Sequence, residues 1–119
     1  MSKLKEVIEM PRRKRTAKDK RVLAKLDEIE AELKRIKFWS DDPVKSEVAN
    51  YIEAPSFEWW LQCVFLPSAR AAVKSGKCPS RSQVGLMALR QYDYHGFVEE
   101  AQPLLRLLNQ FDQIIEDRD

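Results

Sequence analysis

Few residues here have any claim to reactive chemistry: two cysteines, Cys63 and Cys78, and one histidine, His95, preceded by Asp93 and Tyr94. Thiolate and imidazole together suggest zinc first. The positions 63, 78 and 95 match no zinc spacing, because ligand pairs normally lie a few residues apart. On a helix, Asp93 and Tyr94 point elsewhere than His95, so no neighbouring acid orients the imidazole as a base. The pair Asp41 and Asp42 is isolated, and Asp42 before Pro43 suits a helix cap followed by a first-turn proline. No G-x-S-x-G, phosphate-cradling or dinucleotide fingerprint occurs. No nucleophile is matched to a base, so no catalytic residue, metal ion or cofactor is expected, and autonomous catalysis is not expected either.

Two other groups of residues are candidates for binding. Residues 1 to 25 hold ten basic side chains against three acids, whereas the other 94 hold eleven against sixteen. The net charge of +2 therefore hides a basic arm on an acidic remainder. At its centre Arg12, Arg13, Lys14 and Arg15 repel one another, so residues 1–15 are expected to form a mobile arm able to neutralise RNA phosphates. No aromatic side chain is interleaved among them to stack on bases. The second group, Trp59, Cys63, Leu66 and Arg70, forms a stripe at helical spacing. Left open by its neighbours, that stripe would be a protein-binding patch with an aromatic anchor; covered by residues 40–54 or another helix, it would be core.

The elements that position these residues are all helical by pattern. Thr16 and Asp19 resemble a capping box, and Val22, Leu26, Ile29, Leu33 and Ile36 then recur every three or four residues to about Phe38. Trp39, a turn further on, is placed to plug the bundle end. Val44, Val48, Tyr51 and Ile52 predict a short helix over about 43–52. Ser56 caps the most apolar stretch, PSFEWWLQCVFLPSARAAVKSG at 55–76, which reads as a buried helix ended by Gly76 in the left-handed conformation. Pro67 interrupts it and predicts a kink, since the Cys63 carbonyl loses its donor. Ser80 and Gln83 predict a capped helix over about 81–93, where Gly85 permits close packing. Val84, Met87, Ala88 and His95 share one face of it, and Leu86 and Leu89 lie opposite. Phe97, Ala101, Leu104, Leu108, Phe111 and Ile115 predict one kinked helix running through Pro103.

These patterns predict an all-α chain: an up-down helical bundle of about four main helices plus a short connecting helix over 16–117, behind the arm at 1–15. No apolar run approaches the about 20 residues that cross a bilayer. The opening MSKLKEVIEM has two acids and no long apolar core, so no export signal is expected. Cys63 lies mid-helix and Cys78 just past its end, an awkward geometry for a bridge. Both are read as reduced thiols of a cytoplasmic protein.

Three stretches also carry a resemblance. The helix ending in Trp39, the following Asp42-Pro43, and above all EWWLQCVFLP at Glu58 to Pro67 resemble the YqcC-like family of small bacterial proteins, whose core is E-W-L-Q-x-V-x-I/L-P. Leu107, Leu108, Phe111, Asp112 and Ile115 resemble that family's closing helix. The chain departs from it in the basic arm, at Ser68-Ala69, where the family often has Arg-Met, and in the Gly-Lys-Cys-Pro-Ser-Arg-Ser loop. The resemblance implies a helical bundle of unestablished activity, often found beside a tRNA pseudouridine synthase. The expected role is that of a non-enzymatic module binding a protein partner in support of tRNA modification, with RNA binding through the arm as the alternative.

Overall fold

Thr16 starts the first helix as its spacing predicts. Its hydroxyl accepts from the Asp19 amide at 3.0 Å, and the Asp19 carboxylate accepts from the Thr16 amide at 3.2 Å. Two free donors of the first turn are thereby satisfied reciprocally. In a computed structural model describing residues 16–45, 54–94 and 96–117, helix α1 spans Ala17–Arg35. The basic run at 12–15, most of the expected 43–52 helix and His95 lie outside the described residues. Residues 43–45 are described and are not helical, so no helix begins at Pro43.

Helix α1 ends in a reversal. Lys37 takes a left-handed conformation, φ 65°, while the Phe38 amide donates to the Leu33 carbonyl at 2.8 Å and the Lys37 amide to Lys34 at 3.1 Å. This pair of bonds satisfies two carbonyls of the last turn, with a lysine where glycine is usual. The reversal lays Trp39 half-buried against the core, with the Lys34 ammonium 4.9 Å from its ring centroid.

The tryptophan-rich stretch forms one continuous helix in three parts: α2 at Phe57–Trp60, a π turn at Leu61–Phe65, and α3 at Leu66–Ser75. Ser56 caps it by accepting from the Trp59 amide at 3.0 Å. The π turn answers the proline. Pro67 has no amide to donate, and its ring would press on the Cys63 carbonyl in a regular helix. Just before it the turn widens, and the Leu66 amide donates back five residues to Leu61. The helix then continues to Gly76, left-handed at φ 72°, where the Lys77 amide donates to Ala72 at 2.9 Å.

Helix α4 spans Val84–Leu89 and runs into a second π turn, Arg90–Tyr94. It begins three residues later than Ser80 and Gln83 predict, and the Gln83 side chain makes no capping bond. A more distant group, Asp112, supplies the cap instead. The last helix also starts later than its periodicity suggests. A 3₁₀ turn at Glu99–Ala101 leads into α5, Gln102–Glu116, with Pro103 in its first turn. A first-turn amide has no partner within the helix, so proline costs little there, and a fresh start replaces the expected kink. Phe97 falls outside the helix and is 65% exposed.

Among the described residues every regular element is helical and none is a strand. The helices make an up-down bundle. Lys18 at the start of α1 donates to the carbonyls of Ile115 and Asp117 at the end of α5, and Lys25 reaches Gln110, so α1 and α5 run antiparallel. α5 packs on α1 and on α4, while α3 packs on α1. Val22, Leu26, Ile29, Leu33, Leu61, Leu66, Leu104, Leu108 and Ile115 are fully buried between them. Removing this much aliphatic surface from water is the principal force holding the helices together.

Candidate functional site

The stripe Trp59, Cys63, Leu66 and Arg70 is not an open face. Trp59 is 8% exposed and Leu66 1%. The Trp59 indole donates to the Val44 carbonyl at 2.6 Å. Three residues on, the Gln62 amide grips Ser40 on both sides, accepting from its amide at 3.0 Å and donating to its carbonyl at 2.6 Å. Residues 40–45 are thus strapped over this end of the helix through main-chain contacts, while the Val44 side chain stays exposed.

Arg70, at the far end of the stripe, is held by α1. Its guanidinium meets Asp27 at 3.0 Å and Glu30 at 2.8 Å. Partial burial works against the Arg70 charge, but the hydrogen bonds to Glu30 and Asp27 outweigh it and raise its pKa. Glu30 in turn is held below the usual carboxylate range, chiefly by the hydrogen bond from Lys34. Cys63 is half-buried, and burial pushes its thiol up. A raised thiol pKa means less thiolate and a less reactive sulfur.

Sequence reasoning missed two polar links. Tyr92, buried, donates its hydroxyl to the Glu58 carboxylate, which joins the second π turn to the first turn of α2. Burial raises the Tyr92 pKa strongly, and the hydrogen bond to Glu58 and its negative charge add to the effect. The ring completes an aromatic chain: Phe38 to Tyr92 at 5.6 Å, Tyr92 to Phe57 at 5.7 Å, Phe57 to Trp60 at 5.8 Å, Trp60 to Phe65 at 5.8 Å and Phe65 to Phe111 at 5.1 Å.

The other link is Asp112 on α5. One carboxylate oxygen accepts from the Ser82 hydroxyl at 2.5 Å and the Val84 amide at 3.1 Å, and the other from the Gly85 amide at 2.7 Å. A carboxylate in the next helix thereby does what an adjacent cap does elsewhere. Burial pushes the Asp112 carboxyl up, against the lowering effect of those three donors, with the Glu116 charge adding to the rise. The backbones approach closely here. A Cβ on Gly85 would lie 2.9 Å from the Asn109 Cα, so the close packing expected at Gly85 is present.

On the outer side of this joint, α4 and α5 leave an open groove of about 670 Å³. Leu86 and Leu89, each 42% exposed, line it together with Leu105, and Gln102, Arg106 and Asn109 supply polar edges. The sequence placed Leu86 and Leu89 opposite the core face of α4, which is where they lie. Among the residues with reactive side chains, Cys63 and Cys78 form no disulfide, and no metal-binding cluster occurs among the described residues. Asp93 is exposed. No helix among the described residues is long and apolar enough to cross a membrane.

Residues 21–114 match the model of a protein family, DUF446, described as tRNA pseudouridine synthase C. The chain belongs to this family, a small domain of unknown function, in agreement with the resemblance carried by its Glu58–Pro67 segment. No curated protein and no solved structure matches it.

Proposed function

We propose that this chain is a non-catalytic helical interaction module of the bacterial cytoplasm, an accessory to tRNA modification that works with a pseudouridine synthase. The observation that carries the reading is the family match over residues 21–114, whose description names such a synthase. The arrangement of the bundle supports an accessory role. Its polar groups Asp112 and the Tyr92–Glu58 pair are engaged in bonds that hold helix to helix, Asp112 doing so at the inner edge of the α4–α5 groove. The surface this reading assigns to the partner is the α4–α5 groove, where Leu86 and Leu89 offer apolar contact inside a polar rim. An amphipathic helix is the shape such a groove accepts.

The test has two arms. Mass-spectrometric mapping of pseudouridine in tRNA from a strain lacking the gene is expected to show reduced modification, restored by the wild-type chain but not by Leu86→Asp/Leu89→Asp. The purified chain alone is expected to form no pseudouridine in tRNA; formation of the product would overturn the reading.

The charge distribution favours a second reading, RNA binding through Arg12, Arg13, Lys14 and Arg15, within the ten basic residues of 1–25. Affinity for tRNA would then fall steeply as salt rises, since counterion release drives such contacts. Binding unchanged on deletion of residues 1–15 would exclude the arm.

A further inference from the structure

A cavity of about 200 Å³ lies between the middle of α3, the loop that follows it, and the C-terminal half of α5. Its walls include Phe65, Ala69, Ala72, Cys78, Pro79 and Phe111. The space follows from the sequence. Ala69 and Ala72 are small where the neighbouring turns carry Phe65 and Val73. The rings of Phe65 and Phe111 meet edge to face at 5.1 Å, which braces the far wall. Past Gly76 the chain turns back and brings Cys78 and Pro79 over the opening.

We infer that this cavity is a binding site for a small neutral apolar molecule of the size of a monocyclic aromatic or a short branched acyl group. Size and lining together select this class. Buried water needs two to four polar partners, and an apolar cavity of roughly 150 Å³ already admits benzene or xenon. Ser68 contributes the single side-chain oxygen to the lining among the described residues, and Ser68 is exposed. A charged ligand would lose its hydration with nothing to replace it. The space is too small for a helix or for a large side chain with its backbone. The non-helical loop at 77–83, largely exposed, gives the route of access.

Toluene is the probe, with benzoate as the charged control. Millimolar toluene is expected to raise the Tm of the wild-type chain by about 2–4 °C, the size expected for a weak ligand of the native state. Benzoate is expected to leave it unchanged. Ala72→Leu and Ala69→Leu each fill the space and should abolish the toluene increment. In a Cys63→Ser background, toluene should slow alkylation of Cys78 by iodoacetamide about threefold or more, because the ligand fills the space beside that half-buried sulfur which the reagent must enter. The proposal is overturned if the wild type shows no increment, if either folded filling variant keeps it, or if Cys78 reacts at the same rate with and without toluene.

Discussion

Gly85 sits so close to Asn109 that the two helices touch backbone to backbone. A Cβ built on Gly85 would stand 2.9 Å from the Asn109 Cα and 2.9 Å from an Asp112 carboxylate oxygen. Backbone cannot swing aside as a long side chain can, so α4 would have to lift. Gly85→Ala is therefore expected to destabilise the protein by about 1–3 kcal/mol despite alanine's better helix propensity. Urea unfolding checks this. Equal or greater stability in the alanine variant would show that the approach is looser than described.

Asp112 holds the same joint. Asp112→Ala leaves the amides of Val84 and Gly85 and the Ser82 hydroxyl without their acceptor, at a cost of about 2–4 kcal/mol at neutral pH. The pH dependence has a definite sign. Burial raises the carboxyl pKa in the folded chain above its unfolded value. The contribution of this group is then fully present below the unfolded value of about 3.9 and declines as pH rises through the folded one. Measured against Asp112→Asn, the wild type should lose relative stability as pH climbs from about 4. A relative gain over that range would mean that the three donors outweigh burial.

Lys37 occupies a left-handed backbone conformation that Gly76 occupies at the end of α3. For a residue with a Cβ this conformation costs about 1 kcal/mol or more. Lys37→Gly should stabilise the chain by about that amount, and Gly76→Ala should destabilise it similarly. Thermal unfolding of the pair gives opposite shifts in Tm if the two reversals are equivalent.

Tyr92 tests the link to Glu58. Tyr92→Phe keeps the ring contacts with Phe38 and Phe57 and removes only the donated hydrogen bond, for an expected loss of about 1–2 kcal/mol. Because the folded hydroxyl pKa is raised, its stabilisation is complete below the unfolded value of about 10 and is lost as pH rises beyond it. Ultraviolet titration should therefore show tyrosine ionisation in the wild type that waits for alkaline unfolding. A Tyr92→Phe variant with unchanged alkaline stability would show that the buried hydroxyl contributes nothing.

Local signals were legible and distant ones were not. Thr16 with Asp19, Ser56 and Gly76 each act within one turn of their own position, so the chain announces them directly. The core stripe of α1 was equally plain, because its period needs no knowledge of the neighbours. The cap of α4 was illegible for the opposite reason: Asp112 lies 27 residues from Gly85 along the chain, and Ser80 and Gln83 offered a nearer imitation. Pro103 misled because an unbroken apolar phase fits both a kinked helix and a new one preceded by a 3₁₀ turn. The groove residues Leu86 and Leu89 were visible as an apolar back to α4, but nothing in their spacing says whether another helix lies against them.

The π turn before Pro67 carries a consequence for the whole tryptophan-bearing rod. One surplus residue within a turn rotates everything downstream by about 100° relative to a regular helix. Trp59 therefore belongs to one side of the rod, under the strap at Val44, while Leu66 and Arg70 answer to another, among the core and α1. Excising a single residue from 61–65 would realign the two halves and swing Leu66 away from the interior. The length of this segment, as much as its composition, decides which side chains meet which neighbours.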